Sequence, residues 1–134
     1  MREYVMDDIL VGMGYFLSEG NLSFRHDRES WHRFFYERKF NYPILKDIPF
    51  RMRMFPESQE IDQAYSNLIA SGLLYWKGIE IHPPHEFSSE CKPCFEKWVK
   101  KLFSETELEE IQGLSKEFQQ EFSLEDAVAS QSAN

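Results

Sequence analysis

Residues 57–81 decide the fold class, and they read ESQEIDQAYSNLIASGLLYWKGIEI. Ser58 is a favourable N-cap residue for a helix, and Gly72 is the residue type that most often adopts the left-handed conformation that ends one. Between them, apolar side chains recur on one helical face, namely Ile61, Tyr65, Leu68 and Ile69. The remainder of the stretch changes to strand chemistry. The stretch therefore predicts a capped helix followed by a short β-hairpin.

The hairpin is predicted to turn at Lys77 and Gly78, a pair that suits a tight turn, with a short strand on each side. We expect Pro83 and Pro84 to end the second strand, because proline has no N–H to donate to a neighbouring strand. Upstream of the helix, residues 50–54 alternate apolar and basic side chains. That alternation predicts a further strand with one buried face.

Two helices are predicted before this unit, over residues 7–18 and from Arg28 to Phe40. Gly12 and Gly14 lie inside the first helix, where each costs about 1 kcal/mol relative to alanine, so we expect another element to pack closely there. The second helix carries an aromatic face, made of Trp31, Phe34 and Phe35. Aromatic side chains at this spacing are core residues far more often than platforms for nucleic-acid bases, and we predict them in the core.

Two more helices are predicted towards the C-terminus. The first covers residues 95–103, and Ser104 with Glu107 forms a capping box that starts the second. The second has a long apolar stripe, made of Leu108, Ile111, Leu114, Phe118 and Phe122. Such a stripe either folds back on the core or forms half of a dimer interface, so a homodimer is an open alternative. We expect one domain over residues 1–125 and a disordered tail over residues 126–134, which are mostly small and polar.

The order of helix, strand, Ser-capped helix and hairpin rests on core and cap residues, namely Phe55-Pro56-Glu57-Ser58, Leu68-Ile69 and Gly72-Leu73-Leu74, with the aromatic helix Trp31 to Tyr36 upstream. This pattern resembles the winged-helix domains of small bacterial and phage regulators and the antitoxin-associated domains called SocA-like or Panacea. The first motif keeps the Pro and Ser of a Gly-Pro-Tyr-Ser-like family motif but lacks its Gly and Tyr. The resemblance implies a mainly α fold with a small antiparallel β-hairpin or sheet (α+β), a winged-helix-like core and extra C-terminal helices. It carries over no catalytic residues.

The charge pattern indicates whether a nucleic acid is a suitable partner. The formal net charge of −8 disfavours nucleic acid, because phosphates attract clustered Lys and Arg. Residues 25–53 are an exception, since they hold eight basic side chains against four acidic ones. Any polyanion is expected to meet the chain near this window. The candidate nucleic-acid contacts are Arg51 and Arg53 together with Lys77 of the hairpin turn.

The helix over residues 58–71 would be the recognition helix of a winged-helix domain. Its candidate binding face consists of Gln59, Glu60, Asp62, Gln63, Ser66 and Asn67, with no Lys or Arg. Gln and Asn can hydrogen-bond adenine, but the two acidic residues oppose approach to a phosphate backbone. The face therefore favours a protein partner. DNA binding requires that arginines from residues 25–53 flank this helix in space.

One dense cluster of metal-ligating residue types follows the hairpin, with the spacing H-x2-H-x5-C-x2-C over His82, His85, Cys91 and Cys94. Two imidazoles and two thiolates suit a tetrahedral zinc ion. The Cys-x-x-Cys pair at a predicted helix start also suits thiol redox chemistry, because a helix N-terminus lowers a thiol pKa. Ordinary unligated residues in a loop are the third interpretation. No other cofactor is expected.

No serine-nucleophile motif, Gly-rich phosphate loop or paired-carboxylate spacing is evident, and His26 and His32 are far from any candidate nucleophile in sequence. The chain is therefore predicted not to be an enzyme and to have no catalytic residues. It also has no apolar run long enough to span a bilayer and no signal-peptide-like start, so a membrane partner is not expected and a cytoplasmic location is predicted.

Together these features predict a non-enzymatic winged-helix binding module of prokaryotic or phage type. It would be a small regulator or antitoxin-like adaptor that works mainly through protein contacts. The alternative is a zinc-stabilised or redox-sensing DNA-binding regulator that uses the His82, His85, Cys91 and Cys94 cluster.

Overall fold

The computed structural model describes residues 4–18, 23–78, 81 and 83–123. Its helices are α1 (Met6–Ser18), α2 (Arg28–Arg38), α3 (Gln59–Ser71), α4 (Cys91–Cys94) and α5 (Glu105–Phe122), and its strands are β1 (Ser23–Arg25), β2 (Arg51–Met52), β3 (Pro56–Glu57), β4 (Leu74–Trp76) and β5 (Pro84–Phe87). The predicted fold class, mainly α with a small antiparallel sheet, is confirmed. Within these ranges, every helix is too short or too polar to cross a membrane. The tail predicted over residues 126–134 and the metal-ligand candidate His82 lie outside the described residues.

The three-stranded antiparallel sheet joins distant parts of the chain, with the spatial order β1-β5-β4. His85 of β5 lies opposite Phe24 of β1 on one side and Trp76 of β4 on the other. The prediction that Pro83 and Pro84 end the second hairpin strand is wrong, because β5 begins at Pro84. Proline is tolerated at the first position of a strand, and here its carbonyl accepts a 2.8 Å hydrogen bond from the Lys77 N–H.

Helix α3 has the predicted ends. Ser58 is its N-cap residue, and Gly72 adopts the left-handed conformation at φ 78°, where its N–H and that of Leu73 bond to the last turn. Ile61 and Leu68 are buried. The N-cap differs from the usual arrangement in one respect. The Ser58 side chain forms no capping hydrogen bond.

Helix α1 is the central packing element and contacts α3, α4 and α5. A Cβ atom added at Gly12 would lie 3.0 Å from Cγ2 of Ile111 in α5. One added at Gly14 would lie 2.7 Å from Sγ of Cys91 in α4. Both glycines therefore allow close approach of neighbouring helices, as predicted.

The aromatic face of α2 is core, as predicted, with Trp31, Phe34 and Phe35 fully buried. Phe118 of α5 packs against Trp31 and Phe34 with ring centroids 5.6 Å apart in each pair. The capping box between Ser104 and Glu107 is present and starts α5. Ile111, Leu114 and Phe118 of the α5 stripe are buried in the chain's own core, and Leu108 and Phe122 pack against it partly buried. The homodimer alternative stays a prediction.

Two predictions about local structure need correction. The segment 50–54 was expected to be a strand with a buried face, but only Arg51 and Met52 are in a strand, and Met52 and Met54 are 66% and 95% exposed. The reason is that β2 pairs only with β3 across two residues and covers no apolar layer. The helix expected over residues 95–103 begins earlier, at Cys91, and continues through a π-helical turn (Phe95–Val99) and a 3₁₀ turn (Lys100–Leu102).

Candidate functional site

The six predicted binding residues lie on the outward side of α3. Gln59, Gln63, Ser66 and Asn67 are exposed, whereas Glu60 and Asp62 are half-buried. The C-terminal part of this face is tied to α1, because Nδ2 of Asn67 donates to Oδ2 of Asp7 at 2.7 Å. Nε2 of Gln63 donates to Oδ1 of Asn67 at 2.9 Å. The face therefore has a fixed polar pattern rather than a set of independent side chains.

Arg28 of α2 holds two carboxylates at the N-terminal end of α3. Its Nε and Nη2 atoms donate to the two carboxylate oxygens of Asp62 at 3.0 and 2.8 Å. Its Nη1 atom donates to Oε1 of Glu57 at 2.9 Å. The hydrogen bonds with both carboxylates raise the pKa of Arg28 further above its usual range. This exposed arginine therefore has all three guanidinium nitrogens bonded to carboxylates of its own chain.

His32 completes the same cluster. Its Nδ1 atom accepts a 2.9 Å hydrogen bond from the backbone N–H of Ser58, which places the ring proton on Nε2. Nε2 lies 2.9 Å from Oδ1 of Asp62 and donates to it. Burial lowers the pKa of His32 below 6.5, so the ring is neutral at pH 7. Burial alone would raise the pKa of Asp62, but hydrogen bonds from Arg28 and His32 outweigh it and lower that pKa.

This cluster does not have the geometry of a catalytic triad, although it contains a serine, a histidine and an aspartate. His32 contacts the backbone amide of Ser58 and not its hydroxyl group. The Ser58 Oγ atom is buried and lacks a hydrogen-bond partner within the described part of the chain. Both ring nitrogens of His32 are occupied by internal hydrogen bonds. The cluster therefore fixes the position of α3 against α2 and offers no free base.

A cleft of about 250 Å³ opens beside this cluster. Its lining consists of Arg28, Arg51, Arg53, Glu57, Gln59 and Asp62. Arginines from residues 25–53 thus do flank the N-terminal end of α3, which was the geometric requirement for DNA binding. Lys77 is not part of this site, because its Nζ atom pairs with Oε2 of Glu86 at 2.7 Å near the three-stranded sheet.

The three arginines of the cleft differ in how far they are engaged. Arg28 donates hydrogen bonds to Asp62 and Glu57 through all three of its guanidinium nitrogens. Arg53 makes only a 3.7 Å contact from Nε to Oε2 of Glu57. Arg51 is exposed and forms no ion pair with any residue that the structure describes. Two arginines are therefore open to a ligand, next to two carboxylates that repel a dense array of phosphates.

Two of the three described members of the His-Cys cluster, His85 and Cys91, form hydrogen bonds outside it. Nε2 of His85 hydrogen-bonds Oη of Tyr65 at 2.7 Å, and Nδ1 hydrogen-bonds the Pro83 carbonyl at 3.1 Å. Sγ of Cys91 donates to the Leu73 carbonyl at 3.3 Å. Across residues 4–18, 23–78, 81 and 83–123, no three His, Cys, Asp or Glu side chains are grouped as metal ligands would be. With His82 outside these ranges, the full four-ligand site stays a prediction.

The thiols also differ from what redox chemistry requires. Burial raises the pKa of Cys91 to about 12. Burial, with a smaller effect of Asp8, raises the pKa of Cys94 as well. Reactive cysteines have lowered pKa values, because the thiolate is the nucleophile. Both thiols are therefore protonated at pH 7 in this structure.

A second cluster was missed by sequence reasoning, which treated His26 as isolated. The His26 ring stacks on Tyr65 of α3 with centroids 4.0 Å apart and an interplanar angle of 15°. It also meets Trp31 edge-on at 4.8 Å and lies 5.4 Å from the ring of His85. Burial, followed by the nearby His85, lowers the pKa of His26 to about 4. The pairing of β1 with β5 brings these side chains together, and no local pattern in the sequence signals that pairing.

Comparison of the chain with protein-family models, with curated proteins and with solved structures finds no match. The functional inference therefore starts from the geometry of α3 and the cleft beside it.

Proposed function

We propose that this protein is a non-catalytic, cytoplasmic binding module of the winged-helix type that acts as a small regulator or adaptor. It would contact a protein partner through the outward face of α3 and the adjoining cleft. The order helix, strand, helix, helix, strand, strand along the chain, with β1 beside β5, supports the winged-helix assignment. The β2–β3 hairpin is an insertion before α3, and α4 and α5 are additions after the sheet.

The observation that carries the proposal is the engagement of Arg28 with Asp62 and Glu57. A helix that reads DNA needs positive charge facing the phosphates, and here the nearest guanidinium is already neutralised by two carboxylates. The exposed polar groups of the candidate binding face are the amides of Gln59, Gln63 and Asn67 and the hydroxyl of Ser66, which suit hydrogen bonds across a protein interface. The charge pattern therefore favours a protein surface over a nucleic-acid surface.

The state of the ionisable groups supports a non-catalytic role. His32 and His85 each have both ring nitrogens hydrogen-bonded inside the protein. The two thiols are protonated at pH 7, and His26 stays neutral down to about pH 4. A general base or nucleophile needs a free and suitably titrating group.

A DNA-binding regulator is the second candidate, and the position of Arg51 and Arg53 beside Gln59 favours it. In that case, the two arginines would contact phosphates while Gln63 and Asn67 approach base edges. The zinc-stabilised form of this candidate would need His82 to join His85, Cys91 and Cys94 after the present hydrogen bonds of His85 and Cys91 break.

Titration of a fluorescent random-sequence duplex with the full chain separates the two candidates. The proposal predicts no saturable change in anisotropy even at low ionic strength. Saturable binding that weakens steeply with salt and is lost in the double variant Arg51→Glu, Arg53→Glu would contradict it, because that behaviour shows phosphate contact. A charge-matched control, Lys100→Glu with Lys116→Glu, reverses two exposed lysines away from the cleft.

A further inference from the structure

The hairpin of residues 51–57, which we call the arginine-methionine hairpin, exposes both basic and large apolar side chains. Met54 is 95% exposed and Met52 is 66% exposed. Arg51 and Arg53 are exposed and alternate with them along the chain. Neighbouring exposed apolar side chains beside polar ones are a feature of interaction surfaces. The chain has a net charge of −8, whereas this segment holds more positive than negative side chains.

The base of this hairpin is firmly anchored, so its exposure does not reflect a detached loop. Arg51 lies opposite Glu57 and Met52 opposite Pro56 in the β2–β3 ladder. Glu57 is held by Arg28, and the ring of Phe55 lies under the same guanidinium at 5.3 Å. These contacts present the hairpin in a fixed orientation beside the cleft. A surface that is already ordered loses less entropy on binding.

The residue types point to the chemistry of the partner. Arginine and methionine are enriched at protein interfaces, whereas lysine is depleted there. The planar guanidinium binds carboxylates with two parallel hydrogen bonds, and the unbranched methionine side chain adapts to apolar groups of different shapes. A nucleic-acid backbone would use the arginines but leave both methionines uncovered. A protein segment with carboxylates and large apolar side chains satisfies both halves of the surface.

We propose that the exposed side chains of the arginine-methionine hairpin bind an acidic segment of a partner protein that also carries large apolar side chains. Carboxylates of the segment bind Arg51 and Arg53, and its apolar groups cover Met52 and Met54. This inference rests on the proposed function and names the partner class for it.

Selection of a random twelve-residue displayed peptide library on the full chain tests this directly, because it assumes no partner. The expected peptides are rich in Asp and Glu and contain Phe, Leu, Ile or Trp. Synthetic copies should bind about tenfold or more weakly to the double variant Arg51→Glu, Arg53→Glu, as expected when charge pairs are lost. Binding should also weaken severalfold in Met52→Ser with Met54→Ser and be unchanged in the control Lys100→Glu with Lys116→Glu. All these positions are exposed, and circular dichroism of each variant checks the fold.

Selected peptides with no acidic bias, or with equal affinity for the arginine variants, would overturn the inference. If such peptides instead fail to bind the double variant Gln63→Arg, Ser66→Arg, the partner site is on α3 alone. The proposed function then stands without the hairpin. If no peptide is enriched and the duplex titration shows saturable binding, both the inference and the proposed function fail.

Discussion

His32 and Asp62 are 30 positions apart in the sequence, and Nε2 of His32 lies 2.9 Å from Oδ1 of Asp62. Through this contact and the hydrogen bond from the Ser58 N–H to Nδ1, one buried imidazole joins α2 to the first turn of α3. The position of the candidate binding face is thus set by a neutral histidine. The stability of the protein, and its dependence on pH, should therefore respond to changes at the buried histidines.

Replacement of His32 by leucine should destabilise the protein. The change leaves the Ser58 N–H without its acceptor and removes one hydrogen bond from Asp62, and an unsatisfied buried donor costs about 1–3 kcal/mol. We expect the free energy of unfolding, measured by urea titration followed by circular dichroism, to fall by about 2 kcal/mol. Arg33→Gln is the control, because it removes only a surface ion pair with Glu29. Equal stability of both variants would show that the histidine does not clamp α3.

Stability should fall as the pH drops from about 6.5 towards 4. The folded-state pKa of His26 is about 4, below its ordinary value of 6.5, so the unfolded chain binds the proton first. Burial lowers the pKa values of His32 and His85 as well. Asp27 and Asp62 are the nearby negative charges that counteract the lowering of the His26 pKa. Thermal melting of His26→Phe, which keeps a ring on Tyr65, should depend less on pH over this window. An unchanged pH dependence would mean that His26 is not buried in its neutral form.

Gly14→Ala should be destabilising although alanine is the better helix former. The gain in helix propensity is about 1 kcal/mol, but the new Cβ would meet Sγ of Cys91 at 2.7 Å and Cδ1 of Phe87 at 2.8 Å. Overpacking of a core costs about 1–3 kcal/mol, so steric strain should win. Gly113→Ala is the matched comparison, since its nearest neighbour is the hydroxyl of the half-buried Tyr42 at 3.1 Å, a distance that requires a smaller displacement than 2.7 Å does. We expect a lower melting temperature for the Gly14 variant than for the Gly113 variant, and the reverse order would contradict the packing of α1 against α4.

The two thiols should react unequally with an aromatic disulfide reagent. Cys91 is fully buried with a pKa of about 12, whereas Cys94 is half-buried. We expect Cys94 to react first and Cys91 only on unfolding, because the thiolate is the reactive form. Rapid reaction of both thiols in the native protein, or protection of both that a chelator relieves, would favour the redox or zinc alternative instead.

Local patterns in the sequence were sufficient for much of the fold. The caps of α3 are at its two ends, Ser58 and Gly72. The capping box of α5 joins Ser104 to Glu107, only three positions further along the chain. The spacing of apolar side chains in α2 and α5 was equally informative. These features could be predicted because helix periodicity and capping depend on neighbours in the chain.

The candidate site could be predicted only in part, because its contacts join distant elements. The outward residues of α3 follow from helical spacing, but the contacts of Asp62 with Arg28 and His32 depend on how α2 packs on α3. The stacking of His26 on Tyr65 likewise depends on the pairing of β1 with β5. Alternation in residues 50–54 was misleading, since the two-residue ladder of β2 and β3 has no core beneath Met52 and Met54.

The most direct test of the central claim is photo-crosslinking from the outward face of α3 in the native host, with a photoreactive amino acid at Ser66. Ser66 is exposed, and its side chain forms no hydrogen bond with another residue that the structure describes. Lys116 on the exposed side of α5 is the control position. We expect a discrete adduct from Ser66 that protease removes and nuclease does not, with no such adduct from Lys116. A nuclease-sensitive adduct from Ser66, or adducts of equal yield from both positions, would contradict the claim that α3 is a protein-binding face.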